Sequence, residues 1–283
     1  METDPARLRP WLGRTEDASD HVALERVRAL QATLEQPEAP LGEGDPLPPL
    51  WHWLLFWAIA PRSGLGRDGH PALGGFLPPL GPARRMWAGS RVRFHQPLRI
   101  GEPVERRSTI ADIRLKAGRS GHLAFVTVRH EISGREGLLI TDEHDIVYRE
   151  DTGASASERP AEPAPDDPAF SERHLADPVL LFRYSALTFN GHRIHYDRPY
   201  ATEVEGYRGL VVHGPLLATL LVDLAVRSWP DRSITAFEFR GRRPVIDGEP
   251  FTVNGRPQDG ATIDLWIADA EGALAMTGAA GFD

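Results

Sequence analysis

Cysteine is absent from all 283 residues, which removes disulfides, thiolate nucleophiles and zinc–thiolate sites together. No window comes near 18 continuous apolar residues, so no membrane span is expected. The opening Met-Glu-Thr-Asp-Pro is acidic and lacks the apolar core of a secretory signal. Positive charge is not in excess: the formal net charge is −8, which argues against a general nucleic-acid or anionic-membrane binder. His192 and His195 stand close in sequence, but no third ligand has a persuasive metal spacing. These absences set the expectation of a cytoplasmic protein with no membrane partner, no nucleic-acid partner and no bound metal.

What is present suits an ordinary soluble chain, with 41% hydrophobic and 25% charged residues, long enough for two average domains or one large one. Residues 1–36 read as one or two amphipathic helices, with Val22, Leu24, Val27, Leu30 and Leu34 near helical spacing. Residues 50–60 are apolar nearly all round and predict a buried helix, too short for a membrane. Residues 64–82, rich in glycine and proline, read as a long loop of the kind that wraps over a site. Alternation and β-branched content predict strands at 90–97, 104–115, 123–132 and 143–149. Residues 151–168 are rich in proline, alanine and acids and read as an extended, mobile linker.

After the linker the order repeats: a polar lead-in, a polar cluster, an apolar helix over 214–226, then strands near 235–240, 251–254, 261–268 and 273–279. Pro97-x-x-x-Gly101-Glu102-Pro103 and Pro244-x-x-x-Gly248-Glu249-Pro250 share one pattern at matching places. Together these predict two copies of one α+β unit, each an antiparallel sheet wrapped around an apolar helix, with the sheets continuous across the join.

The polar cluster lies within Tyr184-Ser-Ala-Leu-Thr-Phe-Asn-Gly-His-Arg-Ile-His-Tyr-Asp-Arg-Pro-Tyr-Ala201. It holds Asn190, His192, Arg193, His195 and Asp197 between apolar elements, which usually marks a site. This stretch resembles the hydratase-2 motif of the MaoC-like dehydratases, hot-dog proteins acting on enoyl or 3-hydroxyacyl thioesters. Tyr184, Leu187, Thr188, Ile194, His195 and Ala201 fit that motif. Phe189 stands for its glycine, Asn190 for its catalytic aspartate, His192 for its asparagine and Arg193 for its proline. Val212-His213-Gly214-Pro215 resembles the family's turn into the central helix, where the glycine amide faces the thioester carbonyl. The variant looks like the branch of hydroxyacyl-thioester dehydratase type 2 and of mesaconyl-C4-CoA or itaconyl-CoA hydratases, and the likeness runs from about Pro48 onward.

The resemblance implies a double hot-dog: a degenerate first repeat with a helical extension over 1–150, a linker over 151–172 and a catalytic repeat over 173–283. It implies hydration or dehydration of an acyl-CoA with no cofactor beyond CoA in the substrate. Such a reaction needs a base for water, a proton for the α-carbon and a cradle for an enolate-like oxygen. His195 suits the base, because imidazole titrates near operating pH. Asn190 can position water or a carbonyl but cannot cycle a proton. The α-carbon's proton comes either from protonated His195 or from His192 or Asp197. The Gly214 amide and the positive end of its helix would face the thioester oxygen, with His213 fixing the turn.

Other groups carry two readings. Asp68-Gly69-His70 resembles a site remnant in the first copy, though glycine-rich loops also carry such triplets for turn reasons. Arg84 and Arg85, with Arg240, Arg242 and Arg243, are either solvated charge or a grip on CoA phosphates. Rivals to hydration are a hot-dog thioesterase and a non-catalytic acyl-CoA-binding protein. Homo-oligomer formation is left open.

Overall fold

The computed structural model describes residues 4–36, 40–80, 83–118, 121–150 and 161–283. A short helix α1 (Pro5–Leu8) leads to strand β1 (Thr15–His21) and helix α2 (Leu24–Thr33). After a long loop come β2 (Ala83–Phe94), β3 (Pro103–Gly118), β4 (Gly121–Gly134) and β5 (Gly137–Glu150). The second half runs β6 (Phe170–Leu175), α3 (Pro178–Leu187), α4 (Gly214–Ser228), β7 (Ile234–Gly241), β8 (Pro250–Pro257), β9 (Thr262–Ala268) and β10 (Leu274–Phe282).

The ten strands of the described residues form one antiparallel sheet in the order β1-β3-β4-β5-β2-β7-β10-β9-β8-β6. Each half contributes five strands in matching order, and the two sets run outward from a central seam where Gly89–Arg93 of β2 pair with Ala236–Arg240 of β7. The shared Pro-x-x-x-Gly-Glu-Pro stretches make matching turns into β3 and β8. Gly101 and Gly248 take φ of 88° and 73° there, a left-handed conformation that favours glycine.

Helix α4 lies in the concavity of the second half, packed on β7, β8, β9 and β10. Leu216, Leu217, Leu221, Val222, Leu224 and Ala225 are buried against Phe237, Val253, Ile263 and Ile267. Each such large side chain removed from water stabilises the fold by roughly 1.5–3 kcal/mol.

Three expectations are corrected. Residues 50–60 do not form a helix: a single 3-10 turn, Trp51–Leu54, is followed by irregular chain. Trp51, Leu54, Leu55 and Phe56 are buried as anticipated, but Leu50 and Phe56 hold positive φ and Ile59 is 80% exposed. The reason is polar. The buried carboxylate of Asp142 on β5 accepts from Trp53 Nε1 at 2.8 Å and contacts His52 Nε2 at 3.1 Å and His144 Nε2 at 2.7 Å; Ser90 Oγ also donates to it. Continuous helix would not bring adjacent His52 and Trp53 onto one acceptor. Burial works against charge at Asp142, yet His144 and His52 hold its carboxyl well below the usual range.

Second, the all-helical reading of residues 1–36 fails over Thr15–His21, which pairs with β3 as an edge strand. With α2 this strand is the counterpart of β6 and α3, so the N-terminal segment belongs to the repeat. Third, the expected linker over 151–172 ends earlier, because strand β6 begins at Phe170. Of the expected linker, residues 151–160 lie outside the described residues. The next segment is tied down, with Ala164 N–H donating to Gly272 O and Leu274 N–H to Glu162 O, and Phe170 onward is already strand.

Candidate active site

The polar cluster forms where α3 ends. Asp177 caps its start, accepting from Leu180 N–H at 2.7 Å, and Pro178 occupies the first turn. At the far end Asn190 N–H reaches back to Ser185 O at 2.8 Å, closing the helix with Phe189 in the left-handed region. Asn190 Oδ1 then accepts from His192 N–H at 3.0 Å, and a 3-10 turn, Arg193–His195, delivers His195 to the interior.

His195 is only 7% exposed. Its Nδ1 contacts Val211 O at 2.7 Å; a carbonyl only accepts, so Nδ1 carries the proton and Nε2 keeps its lone pair. Burial lowers its pKa to about 4, against the opposing pull of the Val211 bond. The neutral base form therefore persists well below neutral pH. His213 stacks on it with ring centroids 3.7 Å apart and is itself held by Ser185 Oγ at 2.8 Å.

His195, His192, Asn190 and Gly214 all line one cavity of about 2350 Å³. Gly214 opens α4, whose first-turn amides have no preceding helical carbonyl. Pro215 contributes no donor, which leaves Gly214 N–H and Leu216 N–H at the positive end. Asn190 has its carbonyl committed to the turn, so only its NH₂ remains as a donor toward the cavity. Two sequence candidates do not line it. Asp197 is spent on Arg193, at 2.7 Å, and on Tyr200 N–H, at 3.2 Å. His213 is fully buried behind His195.

The first half reaches into the same place. Asp68 O accepts from Arg193 N–H at 2.9 Å and Arg67 O from Arg193 Nη1 at 3.1 Å. A Cβ on Gly69 would stand 1.9 Å from Gly191 O, so only glycine permits this approach. His70 Nδ1 lies 2.8 Å from Asp68 Oδ2, and its ring packs 4.2 Å from that of His192. Asp68, His70 and His192 have ligand-type atoms within 4.8 Å of one another, the one such group among the described residues. The short Asp68–His70 contact has the geometry of a hydrogen-bonded carboxylate–imidazole pair. Sequence spacing alone could not have joined these residues to His195.

The β2–β7 register also brings the two arginine clusters to one end of the seam. Gly89 pairs with Arg240, so antiparallel chains run from there to Arg84 and Arg85 on one side and Arg242 and Arg243 on the other. All five line the cavity. Arg84 is engaged by Glu205 at 3.2 Å, and Arg243 sits 3.6 Å from Asp269; Arg240 and Arg242 are exposed.

Residues 50–247 match the family model described as hydroxyacyl-thioester dehydratase type 2. The chain belongs to that family. It is 51% identical over 267 residues to a mesaconyl-C(4)-CoA hydratase of Chloroflexus aurantiacus, covering 94% of this chain and 95% of the relative. A MaoC-like dehydratase from Phytophthora capsici superposes with a TM-score of 0.71 at 15% identity, covering 99% of both chains. A Mycobacterium tuberculosis protein described as a double hotdog fold does so at 0.60 and 16% identity, covering 96% of both. The fold is the α+β double hot-dog that the motif implied. Among the described residues no helix is long and apolar enough to cross a membrane.

Within a dehydratase of this family, Phe189 has a physical explanation. It occupies φ of 51°, the conformation that a glycine at this motif position would adopt freely. The cost of a side chain there, about 1–2 kcal/mol, is offset by its stack on Trp57 at 5.0 Å and 10°. That contact ties the motif to the loop that follows the 3-10 turn of the first half.

Proposed function

We propose that this protein is a hydro-lyase that adds water across the double bond of an enoyl-CoA and removes it from the 3-hydroxyacyl-CoA. The observation that carries the reading is His195. Its proton is pinned on Nδ1 by Val211 O, its Nε2 is free to act as base, and it shares a cavity with the amide end of α4.

In hydration, His195 Nε2 takes a proton from water as the oxygen bonds to the β-carbon. Negative charge passes through the α-carbon toward the thioester oxygen, where Gly214 N–H and the helix end stabilise it. Asn190 NH₂ orients the water or the carbonyl. The imidazolium formed at His195 is one source of the α-carbon's proton. The exposed arginines at the seam take the CoA phosphates.

The high identity to the Chloroflexus hydratase supports a short, carboxylated acyl group such as mesaconyl-C4-CoA, handled in the cytoplasm. The test is to mix the protein with mesaconyl-C4-, itaconyl- and crotonyl-CoA and follow loss of the enoyl absorbance. Hydration without release of free CoA is expected, and His195→Ala should lose about 10²–10⁴-fold in kcat. Thiol release with the enoyl chromophore retained would instead indicate a thioesterase. Tight binding without turnover would indicate a non-catalytic acyl-CoA carrier.

A further inference from the structure

The active site contains an imidazole–carboxylate pair that the motif does not supply. Asn190 stands where an acid–base aspartate is expected and cannot exchange a proton. Asp197, the nearest carboxylate in sequence, is turned to Arg193 and does not line the cavity. Asp68 and His70, from the glycine-rich loop of the first half, do line it. They are bonded to each other at 2.8 Å. The backbone fixes them against the motif through Arg193 N–H to Asp68 O at 2.9 Å, with no room for a side chain between Gly69 and Gly191.

We propose that His70, oriented by Asp68, is the second catalytic acid–base group of this site and carries the proton exchanged at the α-carbon. The inference rests on the hydratase reading above. With Nδ1 committed to Asp68, Nε2 is the atom of His70 left to face substrate. The step balances as follows. Water's O–H bond breaks with its proton going to His195 Nε2, and the oxygen bonds to the β-carbon. The alkene pair moves to the α-carbon and takes the proton from His70 Nε2. No oxidant, reductant or other reactant is needed. The pair is reset when the proton on His195 returns to His70. His192 lies on that path, with ring centroids 4.2 Å from His70 and 5.3 Å from His195.

The charged and titratable groups facing His70 are Asp68 on its own loop, Arg85 on β2, and His192 and His195 on the motif. Burial lowers the His70 pKa, Asp68 raises it and Arg85 lowers it. The net direction is downward, so the protonated form of His70 is favoured on the acid side of neutrality, and Asp68 is the facing group that opposes that loss. His192, lowered to about 2 by burial and by its histidine neighbours, is neutral at working pH and serves as a conduit rather than as the resident acid.

The experiment uses whichever enoyl-CoA the parent hydrates. Turnover by the parent and its loss in His195→Ala test the hydratase reading independently. On that footing His70→Ala and His70→Gln should lose about 10²–10⁴-fold in kcat with little change in KM. Asp68→Asn keeps the side chain's shape, so it guards against a folding artefact. Hydration needs His70 protonated, so the rate falls as pH rises through its pKa; without the carboxylate that alkaline limb should move to lower pH. A His70→Gln protein with parental kcat, or an Asp68→Asn protein with an unmoved alkaline limb, overturns the proposal. So does loss of the parent's activity on chelation with recovery on adding zinc, because the Asp68–His70–His192 group would then be a metal site.

Discussion

Replacing Gly214 with alanine separates the stability of α4 from its chemistry. Gly214 is the first residue of that helix, and beyond its chain neighbours and the helix's own backbone no heavy atom lies within 4 Å of where its Cβ would stand. The added methyl enters the cavity that Gly214 lines. Removing the backbone freedom of glycine where the conformation suits alanine stabilises a protein by about 0.4–1 kcal/mol. For a chain of this size that holds Tm or raises it by about 1–4 °C. Activity should move the other way. The substitution keeps the amide donor, but its methyl projects into the cavity beside that N–H and crowds an oxygen seated on it; being held off one such donor costs up to about 2.7–4 kcal/mol, or roughly 10²–10³ in kcat. Both quantities come from one preparation: a thermal melt and a saturation curve followed by enoyl absorbance. A Gly214→Ala enzyme with parental kcat refutes the crowding argument, that the thioester oxygen sits against the face of the helix end where the methyl is added. A clearly lower Tm refutes the open space from which the argument starts.

Further outcomes follow from groups away from His195 Nε2. Burial pushes the Asp223 carboxyl on α4 up to about 7, only partly relieved by Arg227 and by Gln36, whose amide donates to it at 2.7 Å. The unfolded chain ionises this acid near 3.9, so its contribution to stability falls as pH rises from about 4 to about 7. Asp223→Asn should remove up to about 2–3 kcal/mol of that fall between pH 5 and 7.5 in urea titrations; Asp223 keeps some exposure, which makes this an upper bound. Asp142→Ala strands His52, Trp53 and His144 without their acceptor and should cost roughly 3–5 kcal/mol, read by the same titrations. Arg240→Ala with Arg242→Ala should raise KM for the CoA ester, most at low salt, and leave KM for the pantetheine thioester unchanged. The acid limb of kcat/KM should lie near pH 4 rather than 6.5, since burial keeps His195 neutral below its ordinary pKa.

Much of this protein is written locally. The apolar run of α4, the alternation along β3, β4, β5 and β9, and the paired Pro-x-x-x-Gly-Glu-Pro turns are short-range patterns that a chain must satisfy wherever it packs. The motif around His195 is equally local: a helix end, an Asx turn and a 3-10 turn set it from adjacent residues. By contrast β1, Thr-Glu-Asp-Ala-Ser-Asp-His, has no strand signature and is a strand because β3 offers its edge. Residues 50–60 are apolar enough for a helix, yet a carboxylate 90 positions from His52 draws the chain into a turn. The pairing of His70 with His192, the meeting of two arginine clusters at the β2–β7 seam and the left-handed Phe189 held by Trp57 share that character. Local propensity and periodicity are properties of neighbours along the chain and determined the repeated strands, the helix of the second half and the motif around His195. Contacts between the two halves depend on which distant groups can satisfy one another once water is excluded, and only the folded arrangement decided them.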